Sequence, residues 1–435
     1  MESIRKETFW ILDLFKGKQI KNNYHDIQYI IKNSTNESVE KKKKKYVNDL
    51  LEHATETTRF YSKFKNYTSL NDFPVIDKNI IRNQLDNFIS AKFNRKGLTS
   101  VVTSGSTGTP FKVYHDKTKI NRNYADTIFF AELAGYRIGH RLMYMKIWAK
   151  QKMRNTLHYR IQNMVPIDVI RLNDDQMHKL INKLEKSKAT FGFLGYASAM
   201  EELCKYLDKT RNGAPVKANV RSIISMSESL NDYTRKTMTK YFATPAVSRY
   251  SNLENGIIAQ QLTDGSGQYL VNTASYVLEL LKLDSNIPAE PGEAGRIVIT
   301  DLFNYAMPFI RYDTGDLSIV ATSPNQPGKL FLSSVEGRKL DQLYDTKGNR
   351  ISSYIMYKNM WQYTEIDQYQ LIQNGEKEYL FKINVKGDFF REDQLKKEFI
   401  SYLGDDAVFE IEYVNEIPLL ASGKRKKIVN NYIKK

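Results

Sequence analysis

At 435 residues, with 41% hydrophobic and 26% charged side chains, the chain is too long for one compact core and has the composition of a folded protein of two or three domains. No apolar run is long enough to span a bilayer, and Asp13 interrupts the short block Phe9–Leu12, so neither a membrane span nor a signal peptide is expected. The single cysteine, Cys204, excludes an internal disulfide and a multi-cysteine zinc site, and the net charge of +16, carried mainly by lysine, reads as solvated basic faces of a cytoplasmic protein rather than a nucleic-acid footprint.

Residues 1 to about 90 read as a mostly helical lead-in, with loops near Asn33–Asn36 and Ser69–Asp72. The densest basic run, Lys41–Lys45, is expected on an exposed helix or loop; peripheral association with an anionic membrane is the minority alternative. From about 95 onward, Val101–Thr103, Leu142–Met145, Phe191–Leu194, Ser222–Ser225 and Val247–Tyr250 are predicted strands. Between them, Asp174–Glu185 is a predicted helix with Met177, Leu180, Ile181 and Leu184 on one face, and the next helix carries Met200, Cys204 and Leu207 as its stripe. This alternation predicts an α/β fold of parallel β-α-β units.

After about 265 the pattern changes. Tyr276–Leu283, Gly295–Asp301, Leu317–Ala321 and Leu330–Val335 are strands separated by turns, which predicts an antiparallel β subdomain. A boundary near Glu336-Gly337-Arg338 separates a large domain, 1–335, from a small α+β domain, 336–435. In the small domain Ile366–Gln373 and Tyr379–Val385 flank the hairpin turn Asn374-Gly375, followed by a helix Arg391–Tyr402 and a strand Val408–Tyr413.

The strongest local signal is Ser104-Gly105-Ser106-Thr107-Gly108 after the strand ending at Thr103. Glycines let successive N–H groups converge on one anion, and small hydroxyls add donors without bulk; the bland alternative is a flexible linker. The Gly-Lys-Ser/Thr ending of a Walker A loop is absent, as is a dinucleotide-binding G-x-G-x-x-G. Further along, Tyr250-Ser251-Asn252-Leu253-Glu254, Arg311-Tyr312-Asp313-Thr314-Gly315-Asp316, Glu336-Gly337-Arg338 and Ser422-Gly423-Lys424 follow in order. Asp316 comes after a Thr-Gly turn, where a carboxylate either binds vicinal hydroxyls or bonds its own backbone. Arg311 is read either as an ion-pair partner or as a charge near a substrate.

With these motifs in this order, the segment from about 95 to 430 resembles the adenylate-forming superfamily, and more narrowly the phenylacetate-CoA ligase and CapK-like branch. The resemblance implies a large AMP-binding domain and a mobile C-terminal lid. It implies ATP and Mg²⁺, with coenzyme A as one acceptor. By the same resemblance Ser104, Gly105, Ser106, Thr107 and Gly108 cradle phosphate, and Thr107 takes part in catalysis. Glu254 ligates Mg²⁺ and is catalytic, Tyr250 and Asn252 lie at the nucleotide, and Asp316 binds ribose. Arg338 contacts ribose or phosphate, Glu228 lies near the base, and Lys424 is the mobile catalytic lysine, with Lys426 as fallback. The hinge falls at Leu340 or Asp341. Ser227-Glu228-Ser229 lacks the family's Gly and Pro, and Ser251 stands where the family has Gly. His115 and His140 are expected to be structural, and Tyr196 either lines the acyl pocket or packs in the core.

The function expected from this resemblance is activation of a carboxylic acid as an acyl-AMP, with pyrophosphate release and acyl transfer to a thiol. Two alternatives stand beside it: a surface-polysaccharide enzyme with an amine or hydroxyl acceptor on a sugar or carrier, and a degenerate, non-catalytic adaptor.

Overall fold

The computed structural model describes residues 2–103, 111–148, 156–169, 172–283, 285–290, 292–321, 326–336, 343–351, 360–363, 365–385, 387–418 and 428–432. The chain divides into two compact units: Met1–Leu230 with Thr234–Val335, and Glu336–Lys435 with the three residues Asn231–Tyr233.

The first unit opens with helices α1 (Glu2–Phe15), α2 (Gln19–Lys32), α3 (Glu37–Thr57) and α4 (Lys78–Asn83). The lysine run lies on α3, where Lys41 pairs with Glu37, Lys43 with Glu40 and Lys45 with Asp49, while Lys42 reaches Asp26 of α2. Strands β1 (Thr99–Thr103) and β2 (Phe111–His115) form a separate antiparallel pair, with Thr103 opposite Phe111. Asp116 then caps α5 (Lys117–Leu133) by accepting from Lys119 N–H, and its other oxygen accepts from Tyr305 and Ala306 N–H.

A single eleven-stranded sheet dominates this unit. Its parallel part comprises β3 (Arg141–Lys146), β4 (Met164–Asp168), β5 (Thr190–Tyr196), β6 (Asn219–Met226) and β7 (Ala246–Asn252). Helices α6 (Thr156–Ile161), α7 (Asp174–Glu185), α8 (Ala197–Arg211) and α9 (Asp232–Phe242) fall between these strands in the chain. Asn173 caps α7, whose buried stripe is the expected Met177, Leu180, Ile181 and Leu184. The antiparallel part comprises β8 (Gly256–Gln261), β9 (Tyr269–Val271), β10 (Tyr276–Leu281), β11 (Gly295–Asp301), β12 (Tyr312–Ala321) and β13 (Phe331–Glu336). The sheet order is β10-β11-β12-β13-β9-β8-β7-β6-β5-β3-β4, so the antiparallel strands extend the parallel ones within one sheet.

Two sequence expectations change in detail. The strand predicted from Leu317 begins at Tyr312, and Thr314-Gly315 lies inside it as an irregularity rather than in a turn before it. Between the pairs Val298↔Asp313 and Arg296↔Leu317 the register shifts, and Gly315 adopts φ +82°, which glycine reaches without a Cβ clash. Ser69–Asp72, expected as a loop, closes into a single 3₁₀ turn with a reciprocal Ser69/Asp72 capping box.

In the second unit a four-stranded sheet has the order β18-β17-β16-β19, from β16 (Ile366–Gln373), β17 (Glu378–Val385), β18 (Val408–Tyr413) and β19 (Ile428–Asn430). β16 and β17 form the expected hairpin, closed by Asn374 N–H donating to Glu378 O at 2.9 Å. Helix α10 (Glu392–Leu403) contributes Leu395, Phe399 and Leu403 to a core with Leu371, Phe381, Ile383 and Phe409. A short pair, β14 (Leu343–Tyr344) with β15 (Arg350–Ile351), is tied to this core by Tyr379 Oη donating to Tyr344 O at 2.5 Å.

Candidate active site

Two carboxylates and two tyrosines converge where the antiparallel strands begin. Tyr250 of β7 donates its hydroxyl to Asp316 Oδ2 at 2.7 Å and lies 3.2 Å from Thr314 Oγ1. The register shift around Gly315 therefore aims Asp316 at a fixed donor. Tyr312, the first residue of β12 and fully buried, donates to Glu254 Oε1 at 3.0 Å. Burial raises the Tyr250 phenol well above its ordinary value, and the negative charges of Asp316 and Glu254 add to the rise. One tyrosine thus senses both acids and remains a proton donor.

Glu254 is only 2% exposed, and its surroundings explain how a carboxylate is held there. It sits in the tight connection from β7 to β8, where Asn252 Oδ1 accepts from Asn255 N–H at 2.8 Å and from Asn255 Nδ2 at 3.1 Å. His115 Nε2 lies 2.8 Å from Glu254 O; a carbonyl only accepts, so Nε2 carries the proton. Burial keeps His115 below its ordinary pKa, which favours this neutral ring. Behind the turn, Tyr276 Oη donates to Asn255 O, Lys119 Nζ donates to Tyr276 Oη at 3.1 Å, and Lys119 pairs with Asp301 at 2.5 Å. Lys119 and Asp301 are both buried, so the network is a closed ion pair that anchors the main chain beside Glu254.

Sequence reasoning missed the cation that meets Glu254. Lys78, the first residue of α4, places Nζ 2.6 Å from Glu254 Oε1 and 5.5 Å from the centre of the Phe111 ring. Asp77 caps that helix by accepting from Asn79 and Ile80 N–H, which fixes the lysine's stem. No motif marks Lys78; the signal available was a lysine directly after a helix-capping aspartate.

Oε1 of Glu254 is engaged by Tyr312 and Lys78, whereas Oε2 makes no hydrogen bond among the described residues. A hard-oxygen donor with one oxygen to spare suits Mg²⁺. Among the described residues no cluster of three or more acidic, histidine or cysteine side chains is gathered to hold a metal, so water or phosphate oxygens would complete the shell.

Other predicted residues take local roles. Asn252 caps the Glu254 turn, as above. Glu228 Oε2 accepts Ser198 N–H at 2.8 Å, in the first turn of α8. Arg311 is an ion-pair partner: Nε and Nη2 grip Glu279 at 3.2 and 2.9 Å, while Nη1 donates to Phe73 O at 3.0 Å and Asn71 O at 3.3 Å. Its φ of +52° is unusual for a non-glycine residue and is held by these bonds and by Ile76 N–H donating to Arg311 O at 3.0 Å. Ser104, Gly105, Ser106, Thr107, Gly108, Arg338, Leu340, Asp341, Lys424 and Lys426 lie outside the described residues. Phe111, the first described residue after the glycine-hydroxyl segment, lies under Lys78.

Residues 343–431 match the family model of the CapK C-terminal domain. Protein CapK of Staphylococcus aureus is 24% identical over 377 residues, spanning 83% of this chain and 80% of its own length. Among solved structures, 2-hydroxyisobutyryl-CoA ligase in the postadenylation state, in complex with R3-HIB-AMP, superposes with a TM-score of 0.66 at 13% identity, covering 88% of each chain. The amide bond synthetase McbA from Marinactinospora thermotolerans gives a TM-score of 0.54 at 15% identity, over 77% of this chain and 69% of McbA. An ATP-bound RpMatB-BxBclM chimera gives 0.54 at 14% identity, over 78% of this chain and 68% of the chimera. The chain therefore has the fold of the adenylate-forming ligases.

Proposed function

We propose that this chain, built on the adenylate-forming ligase fold and ending in a match to the CapK C-terminal domain, activates a carboxylic acid with ATP as an acyl-AMP and then passes the acyl group to a thiol such as coenzyme A. The observation that carries this reading is a pair of fixed acids, Asp316 held by the Tyr250 hydroxyl and Glu254 held by the Tyr312 hydroxyl and Lys78. One acid is held by a neutral hydroxyl, as suits a group that accepts from ribose hydroxyls. The other is matched by a cation through one of its two oxygens.

In this reading Asp316 accepts the ribose hydroxyls and Tyr250 holds that carboxylate in place. The Ser104–Gly108 segment, with Thr107, supplies phosphate donors. Glu254 and Lys78 face the phosphates with opposite charges. When bound, Mg²⁺ neutralises the phosphate oxygens, and Glu254 would hold it. The substrate carboxylate attacks the α-phosphorus in line and pyrophosphate leaves. Lys424 stabilises the charge that grows on the α-phosphate. Arg338 contacts ribose or phosphate near a hinge at Leu340 or Asp341. Transfer to the sulfur of a thiol then releases AMP.

An alternative reading keeps the first step and sends the acyl group to an amine or hydroxyl on a sugar or carrier. The likeness in fold to McbA, an amide bond synthetase, is the observation that favours an amine acceptor. Pyrophosphate exchange with pooled carboxylic acids tests the shared first step, and AMP release with and without coenzyme A separates the acceptors. Lys424→Ala is expected to cut acyl-AMP formation about 100-fold or more while ATP binding persists. Wild-type exchange by that variant removes Lys424 from the chemistry, and no exchange with any acid removes the reading.

A further inference from the structure

The parallel part of the sheet buries a cation that no described side chain neutralises. Arg249 is 7% exposed, and its Nε donates to Gln260 Oε1 at 2.8 Å. Among the described residues neither Nη makes a hydrogen bond, Nη2 is sealed from solvent, and no acidic side chain pairs with the guanidinium. Burial lowers its pKa to about 10, and the titratable group that opposes this is the Tyr144 phenol. A buried charge without a partner is expensive, and the guanidinium cannot shed it by titrating near neutral pH.

Its place in the sheet says what such a group is for. Arg249 is opposite Met226, which is opposite Tyr196; Met226, Tyr196 and Lys146 are the last residues of β6, β5 and β3. Open α/β sheets bind ligands outside the carboxyl ends of their parallel strands. Two residues earlier on the same strands, Val247, Ile224 and Leu194 pack together against α5 residues and the loop after it, so this face is continuous. Tyr144 and Trp148 stand edge to face at 5.4 Å beside it. Strand alternation sends Tyr250, which holds Asp316, to the opposite face from Arg249.

We infer that Arg249 receives a second carboxylate on the acyl substrate, so that the acid activated by this site is a dicarboxylic acid. The inference rests on the adenylation reading given above. One carboxylate of the acid meets the nucleotide; the other takes the unpaired edge of the guanidinium, whose planar donors match a carboxylate two at a time. A site that leaves a buried polar group unpaired rejects the analogue that cannot pair it. A plain fatty or aryl acid would leave Arg249 as it stands in this structure, desolvated and without a counter-charge among the described residues.

The test compares wild type, Arg249→Met and Arg249→Lys in pyrophosphate exchange, using straight-chain diacids and the monoacids of equal carbon count. Wild type is expected to prefer diacids by about 100-fold or more in kcat/KM, and Arg249→Met to lose that ratio. Arg249→Lys keeps the charge without the fork and is expected to fall between them, which preserves the test if the methionine variant does not fold. A wild type that treats both series alike, or a methionine variant that keeps the preference, overturns the inference while adenylation stands. Absence of exchange with every acid overturns the adenylation reading instead. Diacid titration of tryptophan fluorescence, with Trp148 next to Tyr144, then tests the anion site alone: a saturable response lost in Arg249→Met supports Arg249 as its ligand, and no response in wild type overturns it.

Discussion

Two arginines of similar burial, one within the large sheet and one just before its strand β12, live under opposite rules. At the antiparallel end Arg311, 6% exposed, is gripped by Glu279 through two nitrogens and by two main-chain carbonyls through the third. At the parallel end Arg249, 7% exposed, has one amide oxygen and no counter-charge among the described residues. Arg311 is a fastener between the N-terminal segment around 71–76 and the sheet. Arg249, taken as a structural element, would only cost stability. Burial alone therefore does not tell what a charge is for; the state of its partners does.

The contrast sharpens most under substitution. Glu279→Ala leaves the Arg311 charge buried and unmatched, and is expected to destabilise the first unit by about 3–5 kcal/mol in denaturant titration. A loss below about 1 kcal/mol would mean that the main-chain carbonyls suffice and would break the comparison. Next is Lys78→Met, which strips Glu254 of its cation and leaves the Tyr312 hydroxyl. A loss of about 2 kcal/mol is expected. Saturating Mg·ATP should return part of it, because the vacated carboxylate oxygen can then face a metal; equal loss with and without Mg·ATP would place Glu254 outside the metal site.

Arg249→Met should behave in the opposite sense from Glu279→Ala. Removing an unpaired buried cation is expected to leave stability unchanged or raise it by about 1 kcal/mol. A loss as large as that of Glu279→Ala would show that Arg249 has a structural partner after all.

The smallest effect is one of pH. His140, just before β3, accepts Arg137 N–H on Nδ1 at 3.2 Å, and burial holds its pKa below the ordinary value, against the pull of Glu2. The unfolded chain then binds more protons than the folded one in the window below about pH 6.5. Stability is thus fully present above that value and declines as pH falls through the folded pKa. His53 and His115 are lowered by burial in the same direction. His53 and His115 bond Tyr305 O and Glu254 O, so both ends of the large sheet should share the decline, whereas residues 336–435 carry no histidine and should not. Hydrogen exchange at pH 7 and pH 5.5 reads the two units separately, and equal loss of protection in both would contradict this.

Much of the fold was legible because its signals are local. The helix over 174–185 declares its cap and its stripe, and Asn374-Gly375 declares its hairpin. The alternation of strand and helix up to β7 is likewise written in neighbouring residues. The site was only half legible. Tyr250, Glu254, Tyr312 and Asp316 stand in motifs, but the bonds that pair Tyr312 with Glu254 and Tyr250 with Asp316 cross 58 and 66 residues of chain. Lys78 meets Glu254 from the helical lead-in, where no pattern announces a partner so distant. Arg311 was readable in two ways until Glu279 was found on its other side. Arg249 escaped altogether: an arginine in a predicted strand resembles a surface residue until the sheet shows both of its faces covered.

Cys204 has a practical consequence. It is the only thiol in the chain, fully buried in α8, with Sγ 3.7 Å from Thr234 O and burial raising its pKa well above the ordinary value. A sealed, protonated sulfur resists maleimides and methanethiosulfonates under native conditions. Fluorophores or spin labels can therefore be attached through cysteines introduced at chosen surface positions, one on each compact unit, without mutating the native sulfur first. Distances measured between such labels with and without nucleotide would report directly on any swing of the lysine-bearing tail.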